Sequence, residues 1–214
     1  MSPSSSALRP ASTRGVSRFP ADRAGDSLLV EAAARGDREA IGAVWDRYAD
    51  LVRGVLYGSL GPDHALEDLA QEVFIAFVRG AKNIADGSVL RSYLAGVAVR
   101  IAALEIRRRK VRRWVRLSPT GELPERPTSP RDVEGREALR ALHRVLDRLS
   151  ARRRHAFVLR HVQGLEMLEA AAALGVSEST LRRELLRARE QVLIGASREP
   201  ALDEFLRRTG MGAP

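Results

Sequence analysis

Hydrophobic positions along this chain recur at intervals of three and four residues, which is the spacing of one helix face, and nowhere alternate as a half-buried strand would. The first run follows Asp26 or Ser27, either of which can cap a helix, and stops at Gly36. Asp37 then caps a long helix in which Ile41, Val44, Trp45, Tyr48, Leu51, Val52 and Val55 form one core stripe. Gly58, Gly61 and Pro62 are expected to break it. A third helix is expected over 63–78, burying Leu66, Leu69, Val73 and Phe77 and leaving Glu67, Asp68, Gln71 and Glu72 on its other side. A loop over 83–88 holds Asp86 and Gly87. The helix that starts near Val89 is expected to turn Leu90, Leu94, Val97, Ile101, Leu104 and Ile106 inward.

Between 117 and 130 the composition changes to Ser, Pro, Thr, Gly and Glu, which marks a linker. Beyond it a helix over 133–149 should bury Leu139, Leu142, Val145, Leu146 and Leu149, and Ser150 can cap the next, which carries Phe157, Val158 and Val162 to Gly164. The pattern predicts an all-α protein of two small helical domains joined by a flexible linker. The expected segments are a disordered basic arm at 1–25, a first domain at 26–116, a linker at 117–132, a second domain at 133–195 and a tail at 196–214.

The stretch from Met167 to Gln191 carries the most specific pattern. A short Ala-rich helix stops at Gly175, a residue type that accepts positive φ after a helix end, and Ser177 can cap the helix that follows. Two helices joined by so tight a turn make a helix-turn-helix candidate. Ala171 must be small where the helices cross, Gly175 makes the turn, and Leu181 fills the gap between them. Leu181, Leu185, Ala188 and Val192 form the apolar stripe. Ser179, Arg183, Leu186 and Glu190 lie opposite, flanked by Arg182 and Arg187, and hydroxyl and guanidinium groups on an outward face suit base edges and phosphates. An ordinary helical hairpin with a solvated basic face is the simpler alternative.

Composition narrows the partner. The 214 residues carry a formal charge of +9, which favours a polyanion, nucleic acid or anionic membrane. No apolar run is long enough to span a bilayer and no apolar core follows the N-terminal arginines, so a cytoplasmic location is expected. There is no cysteine, which removes disulfides, thiolate catalysis and Cys-ligated zinc. His64, His143, His155 and His161 make no ligand pair at i,i+4 and no nucleophile motif is present, so the sequence offers no enzyme chemistry and no cofactor site. The cluster Arg107, Arg108, Arg109 and Lys110, extended by Arg112, Arg113 and Arg116 past Trp114, reads as a phosphate footprint. The acidic group around Asp68 and Glu72 stands out in so basic a chain. It is a weak metal pair, a solvated face, or a surface for another protein.

At these residues the chain resembles the extracytoplasmic function (ECF) group of sigma factors in the sigma-70 family. The run Glu67-Asp68-Leu69-Ala70-Gln71-Glu72-Val73-Phe74 is similar to the polymerase-binding signature of that family's region 2. Arg91-Ser92-Tyr93-Leu94-Ala95-Gly96-Val97-Ala98, continuing to Arg107–Lys110, resembles its promoter-melting helix. Leu174-Gly175-Val176-Ser177-Glu178-Ser179-Thr180-Leu181 resembles its region 4. The resemblance covers about 26–192. It implies that Asp68, Leu69, Gln71, Glu72 and Phe74 bind core RNA polymerase (beta and beta-prime subunits). It further implies that Asp86, Ser88, Arg91, Tyr93, Arg100, Arg107, Arg108, Arg109 and Lys110 grip the minus-10 element, with an unstacked base captured near 86–88. Ser177, Ser179, Thr180, Arg182, Arg183 and Arg187 would read the minus-35 element. Promoter DNA, core polymerase and an anti-sigma protein are the implied partners, without membrane insertion.

The chain departs from the family pattern at several positions. Arg100 stands where Asn is common, Glu105 where Asp is common, and Tyr93 replaces a frequent Trp. Glu166-Met167 replaces a Ser-Tyr-like helix start. Glu184 lies within the recognition helix, where its neighbour Arg187 offers an intrahelical pair. These differences bear on which minus-35 sequence is read. A stand-alone helix-turn-helix regulator is the alternative function, and it leaves the acidic patch and the first domain without a role.

Overall fold

The computed structural model of the protein describes residues 23–62, 65–84, 86–115 and 131–209, and its regular elements are all helical. They are α1 (Arg23–Ala34), α2 (Arg38–Leu60), α3 (Leu66–Gly80), α4 (Leu90–Val115), α5 (Arg131–Asp147), α6 (Ala151–Phe157), α7 (Met167–Leu174), α8 (Glu178–Ala196) and α9 (Pro200–Thr209). Short 3-10 turns at Ala81–Asn83 and Gly87–Val89 join α3 to α4. No helix among the described residues is long and apolar enough to cross a membrane. Most of the arm at 1–25 and of the linker at 117–132 lies outside the described residues, as does His64.

Local signals set most helix ends. Gly36 takes φ 87° after α1, and the Asp37 carboxylate accepts from the Glu39 and Ala40 N–H groups to start α2. Val44, Tyr48, Leu51, Val52 and Val55 are buried as the stripe requires, and Trp45 is half-buried with its ring centroid 4.4 Å from that of Phe74. Asp26 does not cap α1, which starts three residues earlier. Its buried carboxylate accepts from Arg47 Nη1 at 2.7 Å and from the Tyr48 hydroxyl, pinning α1 to α2.

Several expectations are overturned by packing. Gly58 does not break α2, which ends only at Gly61; its missing side chain instead admits Val158, since a Cβ on Gly58 would lie 2.7 Å from Val158 Cγ1. Leu104 and Leu139, expected inside, are 47% and 45% exposed. Ser150 precedes α6 in extended backbone, but its side chain makes no capping bond. A π-type turn follows α6, with Gln163 N–H donating to Val158 O at 2.8 Å, and leaves Val162 exposed. The expected tail contains α9, whose Leu202 packs with Ala141, Val145 and Ala196.

The two helical groups share one core. Ala156, Leu159, Leu165, Ala170, Ala171, Ala173, Leu181 and Leu185 from the C-terminal helices belong to the same buried cluster as Val52, Leu90, Leu94 and Ala98 from the N-terminal ones. Helix α4 is therefore buried almost all round from Leu90 to Val99, enclosed by α2, α3 and α7.

Candidate nucleic-acid and polymerase interfaces

The helix-turn-helix is built from local chemistry. Gly175 adopts φ 63° and ψ 38°, and its N–H donates to the carbonyls of Ala171 and Ala172, while Val176 N–H reaches Ala171 O at 3.1 Å. Ser177 accepts from Thr180 N–H and shares hydrogen bonds with the Ser179 and Thr180 hydroxyls. Thr180 is thereby engaged in the cap. Ala171 is buried, and Leu181, Leu185 and Ala188 are buried at four and three residues along α8.

The opposite face of α8 is open. Ser179, Arg182, Arg183, Leu186, Arg187 and Glu190 are exposed, with Leu186 77% exposed. Arg182 pairs with Glu178 one turn earlier at 3.3 Å, whereas Arg183 and Arg187 have no ion-pair partner among the described residues. Glu184 does not pair with Arg187. It turns to α6 and accepts from Arg153 Nε at 3.2 Å, because it sits at the edge of the buried stripe facing that helix. This leaves the outward face of α8 basic.

On α3 the face is mixed. Asp68, Gln71 and Glu72 are exposed together. Leu69 and Phe74, expected beside them at the interface, are buried, with Phe74 lining the groove next to Gln71. Glu67 is drawn aside by Arg53, whose Nε and Nη2 donate to its carboxylate at 2.9 and 3.1 Å, and Arg53 also stacks 5.5 Å from the Trp45 ring. A neighbouring groove of about 410 Å³ is lined by Ile41, Trp45, Gln71, Phe74, Ile75, Val78 and Arg79. Ile75 and Val78, 49% and 40% exposed, were missed in sequence. The available signal was two apolar residues three apart on the side turned away from Leu69, Val73 and Phe77.

The candidate minus-10 residues separate into two groups. Arg100, Arg107 and Arg108 are exposed. Asp86 is occupied as the cap of the second 3-10 turn, accepting from the Ser88 N–H at 2.9 Å, the Ser88 hydroxyl and the Ser27 hydroxyl. The backbone of α1 lies against that turn, so a Cβ on Gly87 would fall 2.2 Å from Ser27 N. Tyr93 is half-buried and reaches across to Gly80, at whose Cα a side chain would meet its hydroxyl. Arg109 donates to Glu105 at 3.2 Å and to Leu60 O at 3.4 Å, tying α4 to the end of α2. Arg91 is 7% exposed. Its guanidinium donates to Glu169 at 2.7 Å and to Gln163 O at 3.1 Å, both on the C-terminal side of the molecule. The side chains of Lys110, Arg112, Arg113 and Trp114, and all of Arg116, lie outside the described residues.

Comparison with known proteins agrees with both motifs. The family model "Sigma-70 region 2" matches residues 44–112, and "Sigma-70, region 4" matches residues 139–192. The ECF RNA polymerase sigma factor SigE of Mycolicibacterium smegmatis is 31% identical over 74% of this chain, which spans 63% of that protein's length. The ferric citrate uptake sigma factor FecI of Escherichia coli is 31% identical over 60% of this chain and 74% of its own. The solved structure of CnrH in complex with the cytosolic domain of CnrY has the same fold, with a TM-score of 0.61 at 21% identity over 78% of this chain and 94% of that one. The chain belongs to the sigma-70 family of RNA polymerase sigma factors, in the ECF group.

Proposed function

We propose that this chain binds core RNA polymerase through its beta and beta-prime subunits and directs promoter-specific initiation, acting in the cytoplasm as a specificity subunit rather than a catalyst. The observation that carries the reading is the outward face of α8. Its Ser179, Arg183 and Arg187 are exposed on the side opposite the buried Leu181, Leu185 and Ala188. The second helix of such a motif lies in the major groove with its N-terminal residues on base edges. In this reading the segment 133–195 takes the minus-35 element, and 26–116 takes the polymerase and the minus-10 element. Arg100, Arg107, Arg108 and Lys110 supply phosphate contacts, and Ser88 lies in the base-capturing loop.

Arg183 is the residue to test first on DNA. The Arg183→Ala variant is expected to weaken binding to a minus-35 duplex by ~1–3 kcal/mol if the guanidinium reads a base edge. Equal loss on scrambled duplex would reassign Arg183 to a phosphate.

The exposed Asp68 and Glu72, with the neutral Gln71 beside them, carry negative charge that DNA repels, which favours a protein surface as their partner. Exposed Ile75 and Val78 add apolar area beside them. Combining Asp68→Ala with Gln71→Ala is expected to lower affinity for core polymerase while leaving helicity and unfolding unchanged, since both side chains are exposed. Wild-type performance in a competition assay for core would sink the assignment.

The whole reading is tested by transcription in vitro with core polymerase and genomic fragments, with and without the protein. New start sites that need the protein support it. Salt-sensitive DNA binding without new starts would make the chain a stand-alone regulator. An anti-sigma partner follows from the family resemblance, and CnrH with the cytosolic domain of CnrY offers a precedent within this fold.

A further inference from the structure

We propose that Leu186 reads the 5-methyl group of one thymine in the duplex that α8 binds, and so sets the base preferred at that step. The inference rests on the reading of α8 as a DNA-recognition helix given above. Leu186 is the most exposed large hydrophobic side chain among the described residues. A lone exposed leucine is ordinary on a protein surface. This one stands among polar and charged side chains: Ser179, Arg182, Arg183, Arg187 and Glu190 are exposed around it. Its direction is fixed by the buried side of the same helix, where Leu181, Leu185 and Ala188 enter the core. At ~100° per residue Leu186 points within about 50° of the direction opposite that stripe, and within about 20° of Ser179 two turns earlier.

The chemistry of the groove says what such a side chain can gain. Base edges in the major groove present hydrogen-bond donors, acceptors and one apolar group, the thymine methyl. Against the N4 amino group of cytosine or the O6 of guanine, leucine would strip water from a polar atom and offer it no partner. Against the methyl it gains contact. Arg183, without an ion-pair partner among the described residues, supplies the hydrogen bonding one turn earlier. Leu186 follows it by ~4.5 Å along the helix axis, close to the 3.4 Å rise of one base-pair step, so the two side chains address neighbouring pairs. The next apolar residue on that line, Leu193, stands about 10 Å further on, with the exposed Glu190 between them. The apolar area around Leu186 is therefore the size of one methyl contact rather than of a protein-docking patch. Burying one methyl group is worth about 0.8 kcal/mol, or about fourfold in affinity.

The test removes that methyl and nothing else. The full-length protein selects duplexes from a random-sequence pool, which defines its site whether or not the chain recruits polymerase. Each thymine of the selected site, on either strand, is then replaced by deoxyuridine, which lacks the 5-methyl group and keeps every hydrogen-bonding atom. Wild-type binding should weaken about fourfold at one thymine. Leu186→Ala should bind the unmodified duplex about fourfold more weakly and be indifferent to that replacement. It should fold as wild type does, since the side chain is exposed and alanine favours helix. Leu193→Ala, another exposed apolar truncation on α8, should keep the full methyl dependence. A selected site without thymine, a wild type indifferent to every replacement, or an equal loss in wild type and Leu186→Ala would overturn the assignment and leave α8 a DNA reader. Loss of methyl dependence in Leu193→Ala as well would overturn it too. Leu186→Ala that binds duplex like wild type but loses affinity for core polymerase would place the side chain on a protein instead. A pool that yields no enriched duplex would overturn the DNA reading of α8 and this inference with it.

Discussion

The Leu181→Ala variant is expected to lose roughly 2–5 kcal/mol of folding stability. Leu181 is fully buried at the crossing of α7 and α8, and its cluster includes residues of α2, α3 and α4 as well. Truncation removes its own apolar burial and leaves a cavity, which Ala171 and Ala173 are too small to fill. Rigid helices on every side restrict collapse, so the upper part of the range applies. Binding of minus-35 duplex should fall with it, since α8 is held to α7 by that side chain. Denaturant titration reads the effect as a lower midpoint at unchanged slope. Leu181→Met, which conserves volume, should cost less than about 1.5 kcal/mol. Equal losses in the two variants would show that the site responds to something other than the cavity.

Acid is expected to destabilise the protein through His155, by up to about 3 kcal/mol. Burial, with the Arg154 charge adding to it, pushes this imidazole down to about 4, and its Nε2 has no hydrogen-bond partner. Above the unfolded value near 6.5 the side chain is neutral in both states and contributes no pH dependence. As pH falls from 6.5 towards 4, the unfolded chain takes up a proton that the folded chain refuses, so stability is lost across that window. Burial also lowers His143 and His161, which act in the same direction. Replacing His155 with Leu should flatten the slope by one proton and be neutral or stabilising at neutral pH, because an unpartnered buried nitrogen is removed. Unfolding free energies measured from pH 7 to 4 check this; parallel curves for the two proteins would refute it.

Residues whose meaning is local were legible in advance. Asp37 and Gly36 mark the break between α1 and α2, and Gly175 and Ser177 mark the turn before α8, because caps and positive-φ glycines act on their immediate neighbours. The α8 stripe of Leu181, Leu185 and Ala188 was equally legible, since helical period depends on spacing alone. The same rule misled at Leu104 and Leu139, which keep the period and remain exposed.

The sequence by itself determined an all-helical chain, its helix-turn-helix, the basic outward face of α8 and the acidic group on α3. Each of these follows from composition and spacing within some twenty residues. Tertiary structure alone decided which charged groups are available. Arg91, which the resemblance put on the minus-10 element, is held by Glu169, 78 positions away, and Glu184 is held by Arg153 on another helix. Gly58 looked like a break until Val158 came against it. Such pairings depend on where distant helices pack, and helical period says which face is apolar without saying which helix will cover it.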